Sequence, residues 1–265
     1  MSVWGGGLWL PARAKLNLYL AITGRRTDGY HTLDTLFHPL ELHDDVAVFR
    51  ADGGVTCEVS ADAEDLLVPA DDRNLAVRAL MGFRERVSPA CGFHVRIHKR
   101  IPHGGGLGGG SSDAAACLRL ANELVGGPVD ADELAALALA LGADVPFFLR
   151  GGSQRGLGIG DELAAVAVAP RHFVLLLPPY GCGTAEVYKI HAGLLAAERN
   201  AGTLARNQVP VDLGAGMSSG IYNHLETAAE RLRPELGRLR CAVGAAGYEH
   251  VRMTGSGSTL FVMLE

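Results

Sequence analysis

Hydrophobic residues recur along this chain with two different periods, one typical of strands and the other of helices. Phe93, Val95 and Ile97 alternate with polar residues, which predicts a strand with one buried face. Between Asn74 and Arg86 the apolar residues recur at helical spacing. The same two patterns predict extended stretches at 14–22, 33–40, 46–49, 55–59, 172–177, 249–253 and 259–264, and helices at 112–124, 130–141, 184–195, 222–231 and 235–246.

The order of these elements predicts the fold class and the domain organisation. Strands and helices are mixed without strict alternation, which favours the α+β class. Glycines cluster between residues 151 and 160, so we expect two domains, 1–155 and 156–265. The sequence stops inside a predicted strand, which raises the alternative that the second domain is truncated.

Composition and charge exclude several classes of protein. The formal net charge of -5 does not favour general binding to nucleic acid or to an anionic membrane. Five widely spaced cysteines without a C-x-x-C pair argue against a disulfide framework. No signal peptide and no apolar run of bilayer length is present. We therefore expect a cytoplasmic protein, a monomer or weak homodimer, that acts on small molecules.

The strongest indication of a ligand-binding site is a glycine-rich segment that leads into a predicted helix. All residues from 104 to 110 except Leu107 are glycine, and Ser111 and Ser112 follow. Glycine permits close backbone approach, and a helix N-terminus attracts phosphate. The P-loop pattern fails because no lysine follows the glycines, and the dinucleotide pattern fails because Glu123, about 20 residues on, lies inside a helix. A mobile linker is the remaining structural alternative.

Three segments, in order, are similar to the motifs of one enzyme superfamily. Residues 102–116 resemble the ATP-binding motif of the GHMP kinases, and residues 11–18 and 253–258 resemble the first and third motifs of that superfamily. The resemblance extends from residue 11 to about residue 264. It implies a two-domain α+β GHMP kinase fold, with a ribosomal protein S5 domain 2-like N-terminal domain and a ferredoxin-like C-terminal domain.

Two further segments narrow the resemblance. Residues 27–33, with the sequence T-D-G-Y-H-T-L, and residues 141–148, with the sequence L-G-A-D-V-P-F-F, are similar to segments of those GHMP kinases whose substrate carries a cytidine diphosphate group. The shorter segment N-H-L-E at 223–226 also resembles an N-x-L-E segment of the same kinases. The resemblance implies an ATP-dependent kinase that uses Mg²⁺ and phosphorylates a hydroxyl group of such a substrate.

Lys15 and Asp144 are the catalytic residues that the resemblance implies. Asp144 matches the aspartate that accepts the proton of the attacking hydroxyl, whereas its place before Val-Pro is also typical of a helix cap. Lys15 lies in a predicted strand, where it could keep Asp144 ionised or, as the alternative, be an ordinary edge-strand lysine. Asn17 shares its strand face with Lys15 and is expected to bind the substrate.

The remaining site residues are also assigned by the resemblance. Tyr30 and His31 match positions that bind the cytosine of the substrate, and Tyr188 matches an aromatic residue on the other face of the base, with helix core as the alternative. Asn74, Leu75 and Lys99 match the adenine pocket. Ser111 and Ser112 are candidates for the phosphates, although a hydroxyl at a helix start is also a common cap. The implied ATP-binding set is completed by Gly104, Gly105, Gly106, Leu107, Gly108, Gly109, Gly110, Gly255, Ser256 and Gly257.

Two weaker patterns do not lead to a site. His94 and His98 are four residues apart on a strand, roughly 13 Å, which is too far to share one metal ion. Residues 216–220 match the hydrolase G-x-S-x-G pattern, but no aspartate follows Ser218. No metal ligands are predicted.

Overall fold

The computed structural model describes residues 2–4, 6–88, 90–200, 220–248 and 250–264. Two compact units make up the chain. The first comprises residues 1–15, 39–103 and 108–152, and the second comprises residues 16–38, 104–107 and 153–265. The G-x-S-x-G pattern at 216–220, apart from Gly220, and most of the divergent segment at 196–216 lie outside the described residues. The predicted domain division at residue 155 stays a prediction.

The strands are β1 (Ser2–Trp4), β2 (Gly7–Arg25), β3 (His31–Asp52), β4 (Val55–Ala61), β5 (Cys91–Lys99), β6 (Gln154–Leu157), β7 (Glu162–Ala165), β8 (His172–Leu176), β9 (Arg252–Met253) and β10 (Leu260–Leu264). The α-helices are α1 (Leu75–Val87), α2 (Gly109–Leu124), α3 (Ala131–Leu141), α4 (Val145–Arg150), α5 (Thr184–Asn200), α6 (Glu226–Leu232) and α7 (Pro234–Ala245). A short 3₁₀-helix spans Glu64–Leu66.

In the first unit, helices cover a sheet whose strand order is β1-β2-β3-β5-β4. Strands β3 and β5 pair antiparallel, with Asp45 opposite His98, and β4 and β5 pair parallel. The apolar faces of β3 and β5 pack against α1 and α2 in one core that includes Val48, Phe83 and Leu118. This core fixes where β5 ends and where α2 begins, and the glycine-rich segment connects these two points.

The second unit contains an antiparallel sheet in the order β8-β10-β9, with Leu260 opposite Leu176. Strand β6 pairs with the first part of β3 and with β7. The core of this unit includes Leu20, Val187 and Leu225. Residues of β2 therefore reach the core of the second unit, although β2 begins in the first.

Several predicted elements differ from the structure. The stretches predicted at 33–40 and 46–49 form one strand, β3, because the polar residues between them remain in the sheet. The helix predicted from Tyr222 begins only at Glu226, since residues 222–224 run beside Leu20 and exchange backbone hydrogen bonds with it. Strand β9 covers only Arg252–Met253. The sequence does not predict strands β6 and β7 or helix α4, because segments of four to six residues are too short to display a period.

Among the described residues, no helix combines the length and the apolar character needed to cross a membrane.

We expect Phe83→Ala to lower the free energy of unfolding by about 3–5 kcal/mol, because it removes a buried ring and leaves a cavity. The Phe83 ring is 0% exposed and contacts the Phe93 ring edge to face at 5.9 Å between centroids. Met81→Ala on the same helix is the control, since Met81 is 41% exposed. Urea unfolding measured by circular dichroism compares the two variants, and equal losses would contradict this account of the core.

Candidate active site

The glycine-rich segment adopts backbone conformations that few other residues tolerate. Gly104, Gly106 and Gly108 have φ values of 71°, 79° and 74°, in the left-handed region that favours glycine. At Gly108, a Cβ atom would lie 2.9 Å from the Phe148 ring and 3.1 Å from Cγ of Lys15. The missing side chain therefore allows the backbone at the start of α2 to lie directly against Lys15.

Helix α2 begins three residues earlier than predicted, at Gly109, and Gly108 is its N-cap residue. No side chain caps this end, so Ser111 and Ser112 lie in the first turn and are not caps. The Ser112 N–H already donates to the Gly108 carbonyl. The helix start thus has the two properties of an anion site, N–H groups at a helix N-terminus and a positive dipole end.

Lys15 and Asp144 come together in the first unit. Lys15 is 3% exposed, and its Nζ lies 3.8 Å from Oδ2 of Asp144, whose side chain is 39% exposed. Although Asp144 immediately precedes α4, its side chain makes no capping hydrogen bond, so the capping alternative is not supported. Burial lowers the pKa of Lys15, and the Asp144 carboxylate opposes that shift. The pair presents an accessible carboxylate next to a buried ammonium.

The residues assigned to the adenine pocket have structural partners in the first unit. The Asn74 side chain caps α1 by accepting from the Ala76 N–H, and it donates to the Pro69 carbonyl. Lys99 is buried, and its Nζ donates to carboxylates of Asp44 and Asp113. The adenine-pocket role of Asn74, Leu75 and Lys99 therefore stays a prediction, with the Lys99 ammonium already engaged by two carboxylates.

In the second unit, the start of the glycine-rich segment contacts the third glycine motif. A Cβ at Gly106 would lie 2.4 Å from the Thr254 carbonyl oxygen. The Thr259 N–H donates to the Gly105 carbonyl at 3.2 Å. Gly255 and Gly257 also have positive φ, 56° and 84°. Two predicted phosphate-binding segments that lie about 150 residues apart in the sequence are thus in backbone contact.

Ser256 and Asn17 are positioned by hydroxyl groups around this motif. The Ser256 hydroxyl lies 2.9 Å from that of Thr184. Asn17 is buried, its N–H donates to Oγ1 of Thr254, and its Nδ2 donates to Oγ1 of Thr35 at 2.8 Å. The Asn17 amide is therefore held in one orientation beside the third motif.

The aromatic residues assigned to the cytosine lie in the second unit. The His31 and Tyr188 rings are in contact, with centroids 5.1 Å apart, and Tyr30 is 64% exposed. Tyr188 also packs, partly buried, against the core of this unit. The alternative interpretation of Tyr188 as a helix-core residue therefore also has support. Burial and the positive charge of Arg25 lower the pKa of His31. Its imidazole is therefore neutral at pH 7, with one nitrogen to donate and one to accept.

Asn223, to which the sequence analysis assigns no separate role, supports the third glycine motif. Its Nδ2 donates to the carbonyls of Met253 and Gly255, at 2.9 and 2.7 Å. Its Oδ1 accepts from the Leu225 N–H, and Glu226 accepts from the Met253 N–H. Asn223 and Glu226 thus fix the third glycine motif, and the only sequence signal is the N-H-L-E segment that contains them.

Comparisons with known proteins identify the family to which the chain is similar. Residues 74–152 match the family model of the GHMP kinases N terminal domain. Homoserine kinase from Cytophaga hutchinsonii superposes with a TM-score of 0.68 at 18% identity, covering 100% of this chain and 87% of that one, which supports the fold. The family match and the fold are those of a GHMP kinase, as predicted.

Curated sequence relatives and one crystal structure, all at least 36% identical to this chain, identify the family within the superfamily. A 4-diphosphocytidyl-2-C-methyl-D-erythritol kinase from Pseudomonas entomophila is 38% identical over 96% of this chain and 83% of its own length, and one from Desulfitobacterium hafniense is 36% identical over 96% and 86%. The crystal structure of 4-(cytidine 5'-diphospho)-2C-methyl-D-erythritol kinase is 37% identical, with a TM-score of 0.77, covering 97% of this chain and 90% of that one. The chain belongs to the 4-diphosphocytidyl-2-C-methyl-D-erythritol kinase family.

We expect Gly106→Ala to destabilise the second unit and to weaken nucleotide binding. An alanine at positive φ costs about 1–2 kcal/mol, and here its Cβ would also overlap the Thr254 carbonyl. Gly126→Ala is the matched control, because Gly126 has a φ of 93° but a Cβ added there would meet no other atom within 4 Å. Urea unfolding and nucleotide titration should show a larger effect at Gly106, and equal effects would contradict the close approach.

Proposed function

We propose that this kinase transfers the γ-phosphoryl group of ATP to the 2-hydroxyl of 4-diphosphocytidyl-2-C-methyl-D-erythritol, a step of the non-mevalonate isoprenoid pathway. The observation that carries the proposal is the pairing of buried Lys15 with accessible Asp144 in the first unit, where Gly108 packs on Lys15. The family's named substrate supplies the acceptor.

Phosphoryl transfer needs alignment and charge neutralisation more than covalent help from the protein. The N–H groups at the start of α2 and the glycine motifs bind the phosphates. Asp144 accepts the proton of the attacking hydroxyl, since its carboxylate is accessible and makes no capping bond. The Lys15 ammonium pairs with the Asp144 carboxylate and offsets the negative charge that develops on the transferred group.

Mg²⁺ is compatible with the donor groups present. Magnesium in kinases is usually held by one or two carboxylates together with substrate phosphates. In the described part of the chain no group of three or more His, Cys, Asp or Glu residues could hold a metal by itself, so the nucleotide must supply most ligands. Asp144 would contribute one carboxylate oxygen, and its other oxygen remains to accept the proton. Bound Mg²⁺ would neutralise charge on the phosphates.

The acceptor is proposed to be recognised by its cytosine. Exposed Tyr30 offers a ring face for stacking, and the neutral imidazole of His31 can hydrogen-bond to the edge of the base. Tyr188, whose ring contacts that of His31, stacks on the other face of the base in this proposal. The Asn17 amide, which is held in one orientation, binds the methylerythritol end of the substrate in this proposal.

We also propose that the protein acts in the cytoplasm as a monomer or weak homodimer, without nucleic acid. The net charge of -5 and the odd number of dispersed cysteines support this. A catalytically silent nucleotide-binding protein of the same fold is the alternative from another class, and the pairing of Lys15 with Asp144 argues against it.

We expect Asp144→Asn to retain nucleotide binding and to lose turnover by 10²-fold or more, about the contribution of a positioned acid or base. The amide keeps the shape of the side chain but cannot accept the proton. The assay incubates the enzyme with Mg-ATP and the diphosphocytidyl substrate and follows ADP and the phosphorylated product.

Asp132→Asn is the control for this substitution, because Asp132 lies exposed in the first turn of α3. Full activity of Asp144→Asn would remove Asp144 from the mechanism. Wild-type enzyme that binds ATP without any turnover would refute the kinase proposal and favour the silent nucleotide-binding alternative.

We expect CMP to compete with the acceptor substrate, and Tyr188→Ala to weaken this competition by roughly 10-fold, the size of one base–aromatic stack. Leu177→Ala, at an exposed apolar position of the same unit, is the control. Inhibition constants from initial rates measure both. A GHMP kinase for homoserine or a mevalonate derivative has no use for a cytosine site, so absence of CMP competition would favour that alternative.

A further inference from the structure

Two buried carboxylates share a single buried ammonium in the first unit. Asp44 on β3, Lys99 on β5 and Asp113 on α2 are each at most 2% exposed. Lys99 Nζ lies 2.7 Å from Oδ2 of Asp113 and also donates to Oδ2 of Asp44. The three residues, called here the acid–lysine cluster, hold one more acid than base.

The acid–lysine cluster joins the two ends of the glycine-rich segment. Oδ1 of Asp44 accepts the N–H groups of Arg100 and Ile101, at 2.6 and 2.9 Å, just before the glycines. Asp113 is the fifth residue of α2, just after them. A Cβ at Gly109 would lie 3.5 Å from Oδ2 of Asp44. The excess acid therefore lies beneath the helix start to which the phosphates are assigned.

The two carboxylates are not equally stabilised. Asp44 accepts two backbone N–H groups as well as the ammonium, whereas Oδ1 of Asp113 is buried without a hydrogen-bond partner among the described residues. Burial and the neighbouring charge of Asp44 raise the pKa of Asp113 to about 7, and Lys99 opposes the shift. Burial also raises the pKa of the facing thiols, Cys57 and Cys117, which keeps both neutral. Asp113 is thus the group in this cluster that can change charge near neutral pH.

We propose that nucleotide binding is coupled to the uptake of one proton by Asp113, so that the phosphates bind most tightly when this carboxyl is neutral. The proposal rests on the phosphate-binding role given to α2 in the proposed function. The proton comes from solvent, and the neutral carboxyl can share it with the Asp44 carboxylate.

Distance and charge support this coupling. A rise of about 1.5 Å per residue places the Cα of Asp113 roughly 6 Å along the axis from Gly109. For scale, one net negative charge, which MgADP retains, at about 9 Å from a carboxylate and an effective dielectric constant near 20 shifts a protonation equilibrium by at least about tenfold. The phosphates and an ionised Asp113 carboxylate therefore repel each other, and protonation of Asp113 removes this repulsion.

The test is isothermal titration of the full chain with MgADP at about pH 5.5, 7 and 8.5, in buffers of low and high ionisation enthalpy. We expect proton uptake near zero at the lowest pH and about half a proton at pH 7, because free Asp113 is then half ionised. In Asp113→Asn the uptake should be absent, and MgADP should bind more tightly than in wild type at the highest pH. Asp132→Asn, at an exposed aspartate, should behave like wild type.

Each outcome decides a separate point. MgADP binding with the same proton uptake in wild type and Asp113→Asn would overturn the coupling and leave the proposed function intact. Failure of MgADP to bind wild type would remove the proposed function and the coupling together. If Asp113→Asn does not fold, infrared difference spectra of wild type at about pH 8 replace it. A new band of a protonated carboxyl on MgADP addition supports the coupling, and its absence overturns it.

Discussion

The burial of the Lys15 ammonium is the constraint on which the reaction centre depends. A buried ammonium loses its hydration and is tolerated only if a carboxylate or other polar groups compensate. Here Asp144 lies within ion-pair distance, and Gly108 brings the backbone of the helix start against the lysine stem. Any side chain at position 108 would displace either the lysine or Phe148. The position of the ammonium, the start of α2 and the orientation of α4 are therefore set by one packing arrangement.

In the second unit, two glycine-rich loops have few side chains of their own and are supported by neighbouring residues. Residues 104–107 and 254–259 contact each other through carbonyls and N–H groups, and such contacts leave few side chains to define the geometry. The structure supplies that definition from outside the loops, through Asn17, Thr184, Asn223 and Glu226. The glycines thus allow the two loops to approach each other closely, and the neighbouring polar side chains fix the geometry of the loops.

The sequence predicts the long helices well because each displays a clear period and end signals, whereas the two longest strands, β2 and β3, are predicted only in part. Asn74 before α1 and Asp130 before α3 act as caps through their side chains, as residues of that type often do. The motifs also lead to Lys15, Asp144 and both glycine segments. The partners of Lys99 could not be predicted, because Asp44 and Asp113 lie 55 and 14 residues away and are brought to it only by the packing of β3 and α2 on β5. The supporting role of Asn223 is hidden for the same reason, since it acts on carbonyls about 30 residues further on.

The two hydrogen bonds from the Asn223 amide have a consequence for the electrostatics of the third glycine motif. A carbonyl oxygen repels an anion, and both the Met253 and Gly255 oxygens are turned onto the Asn223 nitrogen. One lone pair of each oxygen is therefore engaged by the Asn223 amide, which biases the polarity of this turn toward its N–H groups. That bias depends on the identity of one atom. Exchange of the Asn223 nitrogen for oxygen, as in aspartate, would remove both hydrogen bonds and set a negative charge against the two carbonyls, so the turn would lose this bias.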